Sequence, residues 1–143
     1  MNFDAQKYLT AQEGFYSIAL SEISSGRKRS HWIWYIFPQI AGLGHSSMCK
    51  RYDIQNIQEA RAYLSHDILR SRLIEISEAL LEQDGDIRYI APSPDCYKIC
   101  SCMTLFREAD SSIPVFQQVL DKFFHGQADK KTLNILAEQT SAV

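Results

Sequence analysis

The sequence has no apolar run long enough to cross a membrane: its densest stretch, Trp32 to Phe37, stops at Pro38, far short of the ~20 residues a spanning helix needs. It has no internal repeat, no low-complexity tract and no Pro/Gly/Ser linker, with 6 glycines and 4 prolines scattered along the chain. Solenoid and linker-joined architectures are thereby excluded. Nor is there an excess of charge of one sign. The 15 Lys+Arg oppose 17 Asp+Glu, for a formal charge of -2, so a whole-surface electrostatic grip on nucleic acid or anionic membrane is not expected and any anion site must be local. The opening Met1-Asn2-Phe3-Asp4 lacks the basic and apolar regions of a secretory signal. With no export signal, Cys49, Cys96, Cys100 and Cys102 read as reduced thiols, and the expected location is cytoplasmic.

What is present suits one core. A chain of 143 residues, 45% hydrophobic and 22% charged, is the size of one domain, expected to span 1–143. The hydrophobic pattern is helical nearly throughout, and the predicted fold class is all-α with five to six helices. Phe3, Leu9, Phe15, Ile18, Ala19 and Ile23 follow a 3.6-residue period up to Gly26, predicting one first helix. Asn56 and Glu59 have the form of a capping box. After a corner at Ser65-His66, a second stripe runs from Ile68 to Leu81. Pro92-Ser93-Pro94-Asp95 breaks the chain and starts a helix, Ser112-Ile113-Pro114 starts another that Gly126 closes, and Asp129 caps the last. Residues 30–40 leave no polar face, so periodicity cannot separate a buried helix from an irregular or short extended segment.

Three stretches carry residues suited to chemistry. The first runs from Gly26 to Gln39 and places Arg27, Lys28 and Arg29 beside His31, Trp32, Trp34, Tyr35 and Phe37. Lysine or arginine can pair with phosphate while an aromatic face stacks on a base, although the same residues equally suit a helix C-terminus and a core. Next comes Pro38 to Ser47, where Gly42, Gly44 and Ser46 could form a phosphate cradle or a plain turn. It is neither a P-loop nor a Rossmann fingerprint, and no cofactor is expected. In the third, helical spacing from Asp95 puts Asp95, Lys98 and Ser101 on one side, with Ile99, Met103 and Phe106 turned elsewhere. Cys96, Cys100 and Cys102 lack zinc-like spacing and a partner pair, so no metal is expected.

These stretches together resemble a known family. Gly26-x-Lys28-x-x-His31-Trp32-x-Trp34-x-x-Phe37-Pro38-Gln39, Gly42-Leu43-Gly44-x-Ser46, Tyr52-x-Ile54, Glu59-Ala60-x-Ala62-Tyr63-Leu64, Arg72-Leu73 and Pro94-Asp95-x-x-Lys98-x-x-Ser101-x-Met103-Thr104-Leu105-Phe106 resemble, in order, a bacterial domain-of-unknown-function family, DUF1810, whose members often carry the label calpastatin. The resemblance implies a small, mainly helical protein and supplies no activity. A calpain inhibitor of that kind is a disordered, repeated, polar chain, unlike this one. A more distant likeness is to NADAR or YbiA-like proteins, which act on N-glycosidic bonds of ADP-ribose-type or riboflavin-precursor nucleotides. Departures from the family pattern fall at Arg88-Tyr89-Ile90-Ala91-Pro92, Cys100 and Cys102, and leave Asp95, Lys98, Ser101 and Thr104 in place.

The leading expectation is one pocket for a small anionic, nucleotide-like ligand. Lys28 would meet phosphate, Trp34 or Phe37 would stack, and Gln39 would hydrogen-bond. The Gly42, Gly44 and Ser46 loop would converge on the same ligand as Lys98, Ser101 and Thr104. As an enzyme it would cleave an N-glycosidic bond, with Asp95 stabilising an oxocarbenium ion or activating water and His31 donating a proton. The alternative is a non-catalytic adaptor whose aromatic segment forms a partner groove or drives self-association, a homodimer being one outcome. Nucleic-acid binding would need Arg27, Lys28, Arg29, Lys50, Arg51 and Arg107 on one face.

Overall fold

In the computed structural model, which describes residues 3–141, turn and cap chemistry cuts the chain into ten helices. They are α1 (Ala5–Gln12), α2 (Tyr16–Ser24), α3 (Ile33–Ile36), α4 (Ser47–Tyr52) and α5 (Ile57–Ser65), then α6 (Asp67–Leu81), α7 (Ile87–Ile90), α8 (Asp95–Ala109), α9 (Val115–Phe123) and α10 (Lys130–Ser141). The helical class stands, and the number of helices exceeds the five to six read from the sequence. Two of the extra helices, α3 and α7, are single turns. None of the described helices is long and apolar enough to cross a membrane.

The first predicted helix is in fact two. Gly14 sits at φ +81° between α1 and α2, a left-handed conformation that glycine adopts without strain, and the chain turns there even though the apolar period continues across it. Hydrophobic spacing is blind to such a break: Phe15 and Ile18 carry the period across it in the sequence, yet both side chains are exposed. Just before it, Gln12 is buried and works as a three-way clasp. Its Nε2 donates to the Tyr35 carbonyl at 2.8 Å and to the Tyr63 hydroxyl at 3.2 Å, while its Oε1 accepts from Arg72 Nη1 at 3.2 Å. One side chain thus joins α1 to α3, α5 and α6.

The ambiguous 30–40 segment is a one-turn helix followed by extended chain. After α3, Ile40 pairs with Ile54 in an isolated parallel bridge, with Ile54 N donating to Gln39 O and Ala41 N to Ile54 O, both at 2.8 Å. Trp32, Ile33, Ile36, Phe37 and Ile40 are all buried, so both surroundings of the segment are apolar and its lack of a polar face follows. The cap signals act as read: Asn56 Oδ1 accepts from Glu59 N at 2.9 Å, and Glu59 in return accepts from Gln55 N at 2.9 Å. Asp129 Oδ2 accepts from Thr132 N at 3.0 Å and from its hydroxyl at 2.7 Å.

At the centre lies α8, packed by α5, α9, α10 and α7. Ile99, Cys102, Met103, Leu105 and Phe106 are buried on several sides of it, as expected for a helix that other elements surround. On α9, Val115, Phe116, Val119 and Leu120 form a single apolar stripe against α8 and α6. Each such side chain contributes about 1.5–3 kcal/mol of burial.

Replacing Gln12 by Leu keeps the volume but orphans the buried Tyr35 carbonyl. Urea denaturation should show a loss of roughly 1–3 kcal/mol for that group alone, whereas an unchanged midpoint would mean that the clasp carries no stability.

Candidate functional site

Between α2 and α3 the chain 25–32 has no regular structure, and a carboxylate organises it. Glu22 on α2 accepts from Arg29 N at 2.8 Å, Ser30 N at 2.9 Å, Ser30 Oγ at 2.6 Å and Trp32 Nε1 at 2.9 Å. Partial burial opposes its ionisation, but these donors outweigh it and hold the carboxyl down at about 2. The loop so fixed delivers Lys28 to the start of α8. Lys28 Nζ meets Asp95 Oδ2 at 2.7 Å, also donates to the Ser30 carbonyl and lies 4.8 Å above the Trp32 ring, with its side chain 6% exposed. Its backbone N–H donates to Ile90 O at 2.6 Å, which ties the loop to α7.

Asp95 therefore spends its charge on Lys28, and its neighbour Lys98 holds only the looser share. Lys98 Nζ stands 4.0 Å from Asp95 Oδ1 and 5.5 Å from the Trp34 ring centroid. It then faces a cleft of about 870 Å3 between the 39–44 loop, α8 and the turn from α9 into α10. Lys98, Lys130 and Lys131 bring positive charge to it, and Tyr97 and Phe124 bring aromatic surface. Among the lining residues the single acid is Asp129, whose Oδ2 is occupied by Thr132 and also accepts from Ser101 Oγ at 3.2 Å. Lys130 and Lys131 are exposed and form no ion pair with a described residue.

Of the residues expected to form a ligand site, Gln39, Gly44, Lys98 and Ser101 line this cleft. Trp34 is half-buried beside it through Lys98. Lys28 does not meet a phosphate: it is buried in its ion pair. Phe37 is 1% exposed and packs on Trp32 with ring centroids 6.2 Å apart, so it cannot stack on a ligand. Thr104 is buried, donating to Cys100 O at 2.8 Å and accepting from Asp129 N at 2.8 Å, so with Ser101 it anchors the start of α10. His31 is exposed, outside the cleft lining, and makes no hydrogen bond with a described residue. The catalytic pairing of His31 with Asp95 consequently has no geometry behind it. Ser46 caps α4 by accepting from Cys49 N at 3.1 Å, but α4 spans six residues, and Gly42 lies off the cleft with φ +108°. Gly44 is required by packing, since a Cβ there would stand 2.5 Å from Cys49 Sγ.

Sequence reasoning missed Lys130, Lys131, Tyr97 and Phe124 as cleft residues, and it missed Asp53. The lysines look like an ordinary solvated run after a cap. Asp53 carries a weak signal, an acid between the core residues Tyr52 and Ile54, and it is 5% exposed. Burial pushes its carboxyl up to about 7, against the pull of Lys98 and Lys7. The cysteines are inert by comparison: burial, then the charge of Asp129, raises Cys100 to about 11, and burial raises Cys96 and Cys102 as well.

The aromatic segment does not supply an adaptor groove, because Trp32, Ile33, Tyr35, Ile36 and Phe37 are buried. Nor do the six basic residues share a free face: Lys28 is buried, and Arg107 bonds Glu108 at 3.0 Å and Gln117 at 3.1 Å.

Glu22 and Asp53 should give opposite pH dependences of stability. For Glu22, folding lowers the pKa, so its contribution is complete above the unfolded value near ~4.3 and disappears as pH falls toward about 2. For Asp53, folding raises the pKa, so the protonated form favours folding below ~3.9 and that advantage is lost as pH rises through about 7. Urea midpoints should therefore show Glu22→Gln converging on wild type in acid, and Asp53→Asn gaining on wild type between pH 4 and 8. Parallel curves would contradict both assignments. Lys28→Met, which strands Asp95, should cost roughly 3–5 kcal/mol, and adding Asp95→Asn should restore much of it.

Among curated proteins, none matches the chain. The crystal structure of the conserved hypothetical protein Rv1873 from Mycobacterium tuberculosis, at 1.38 Å, is similar in fold and sequence, with a TM-score of 0.93 and 40% identity over 94% of this chain and 97% of that one. The model of the family described as "Protein of unknown function (DUF1810)" matches residues 2–136. The ordered motifs from Lys28 to Phe106 lie within that match, and the chain belongs to the DUF1810 family.

Proposed function

We propose that the cleft binds a small anionic ligand bearing a planar, nucleotide-like ring. The observation that carries this is an imbalance of charge: Lys98, Lys130 and Lys131 converge on one cavity whose sole lining acid is already hydrogen-bonded, in a chain that is net negative. Lys130 and Lys131 form no ion pair with a described residue and Lys98 only the loose 4.0 Å one with Asp95, so all three can attract phosphate or carboxylate, and Tyr97 and Phe124 offer ring surface at the same place. A cavity of about 870 Å3 is of the size that takes a mononucleotide or dinucleotide. Lys98 is the central cation of this reading, because Trp34 and Asp95 hold it while Lys28 absorbs most of the charge of Asp95.

Thermal denaturation with ADP-ribose, NAD and GMP at millimolar concentration is the direct test. A ligand present at a hundred times its Kd adds about 2.7 kcal/mol of stability, a rise in Tm of several degrees for a domain of this size. Lys98→Ala should weaken binding roughly tenfold to a hundredfold through loss of a charge-assisted hydrogen bond of about 1.5–3 kcal/mol, and the Lys130→Ala, Lys131→Ala pair should weaken it further. Full-strength binding by Lys98→Ala, or no stabilisation of the wild type by any of the three compounds, would remove the proposal.

A further inference from the structure

Gln39, and Asp53 across the Ile40–Ile54 bridge from it, are more than nine-tenths buried, and no described residue hydrogen-bonds to the polar end of either. Gln39 is 7% exposed and lines the cleft, and Asp53 is 5% exposed. Among the described residues no fully enclosed side-chain oxygen or nitrogen lacks a partner, so the polar ends of Gln39 and Asp53 keep a narrow contact with solvent. Their placement is coupled by backbone pairing. The parallel bridge between Ile40 and Ile54 puts those two apolar side chains on one face and residues 39 and 53 on the other, the face that Gln39 shares with the cleft. Gly44, whose Cβ would stand 3.5 Å from Gln39 Nε2, leaves the amide room.

Resting on the proposed anionic cleft, we infer that Gln39 and Asp53 form its ring-reading edge, which recognises a heterocycle or carboxamide presenting a hydrogen-bond donor beside an acceptor. A buried carboxyl with no hydrogen-bonded partner favours its neutral form, and a neutral carboxyl offers an O–H donor and a carbonyl acceptor in one plane. A glutamine amide offers the same pair of functions in a second plane. Lactams, carboxamides and aminopyrimidine-type edges complement both. Burial raises the Asp53 carboxyl to about 7, which accords with a proton retained near neutrality.

Calorimetric titration of the full chain with GMP, AMP and nicotinamide mononucleotide, each against ribose 5-phosphate, tests the edge separately from the anion site. At least one ring-bearing compound should bind tenfold or more tighter than ribose 5-phosphate. Gln39→Leu and Asp53→Leu should erase that preference, read within each variant as the ratio of the ring-bearing compound's Kd to that of ribose 5-phosphate, and Asp53→Asn, which keeps one donor and one acceptor, should retain most of it. Gln39→Leu lies outside the helices and serves if Asp53→Leu does not fold. Equal binding of all four compounds, a preference that survives both leucine variants, or an asparagine variant as impaired as the leucine one overturns the ring-reading edge and leaves the anionic cleft standing. Failure of every compound to bind overturns both.

Discussion

The arrangement of the site depends on the ion pair between Lys28 and Asp95. The two come from separate parts of the chain, an irregular loop after α2 and the first turn of α8, with the bond from Lys28 N to Ile90 O as a second tie beside them. A buried pair of this kind is not a large net source of stability, since desolvation of both ions offsets most of the attraction. Its consequence is positional. It fixes the end of α8 against the loop, and it decides which of two neighbouring lysines faces the cleft. Lys28 comes within 2.7 Å of the carboxylate whereas Lys98 stays at 4.0 Å, so the more exposed lysine is the one left with charge to offer.

The polar residues of α8 extend the same logic. On a helix surrounded by other elements each must be partnered, and the tertiary partners of Asp95, Ser101 and Thr104 come from two non-helical connections. Asp95 takes the 25–32 loop through Lys28, while Ser101 and Thr104 take the turn before α10 through Asp129. The turn before α10, one wall of the cleft, is thereby bolted to α8, which is itself the second wall. The third wall, at residues 39–44, is held by the bridge to Ile54, and Gly44 in it has no room for a Cβ, which would stand 2.5 Å from Cys49 Sγ. A site built from connections thus inherits the precision of the central helix.

How much of this was legible in the sequence depended on whether the signal was local. Caps at Asn56 and Asp129, the start of α8 at Asp95 and the left-handed stop at Gly126 are each fixed by a few neighbouring residues, and each could be read. The break at Gly14 could not, because an apolar period running through a turn looks the same as one running through a helix. The short α7 is specified by the Asp86 cap over two buried isoleucines, too few residues to show a period. Within the site, the three-residue spacing of Asp95, Lys98 and Ser101 was visible, but the division of labour among them was not. It depends on Lys28, Asp129 and Asp53, which arrive through tertiary contacts. Proximity in sequence to the tryptophans made Lys28 and Phe37 look like ligand residues, and burial gives both to the framework.

The same contacts decide how this fold can hold an anion. A helix N-terminus is the usual low-cost receptor, through free amides and a positive dipole end. Here both helix starts beside the cleft already have an acid in place, Asp95 in the first turn of α8 and Asp129 capping α10. An incoming anion at either start would meet a carboxylate, so under the proposed function its recognition would fall to the side-chain ammonium groups of Lys98, Lys130 and Lys131. Two of these are solvent-exposed and screened by salt, with a Debye length of about 8 Å at physiological ionic strength. Lys98, half sheltered by Trp34, is screened less and sets the geometry. On the proposed reading, strength drawn from flexible surface lysines and orientation drawn from one sheltered lysine would therefore be separate properties of the cleft, and salt would weaken the first more than the second.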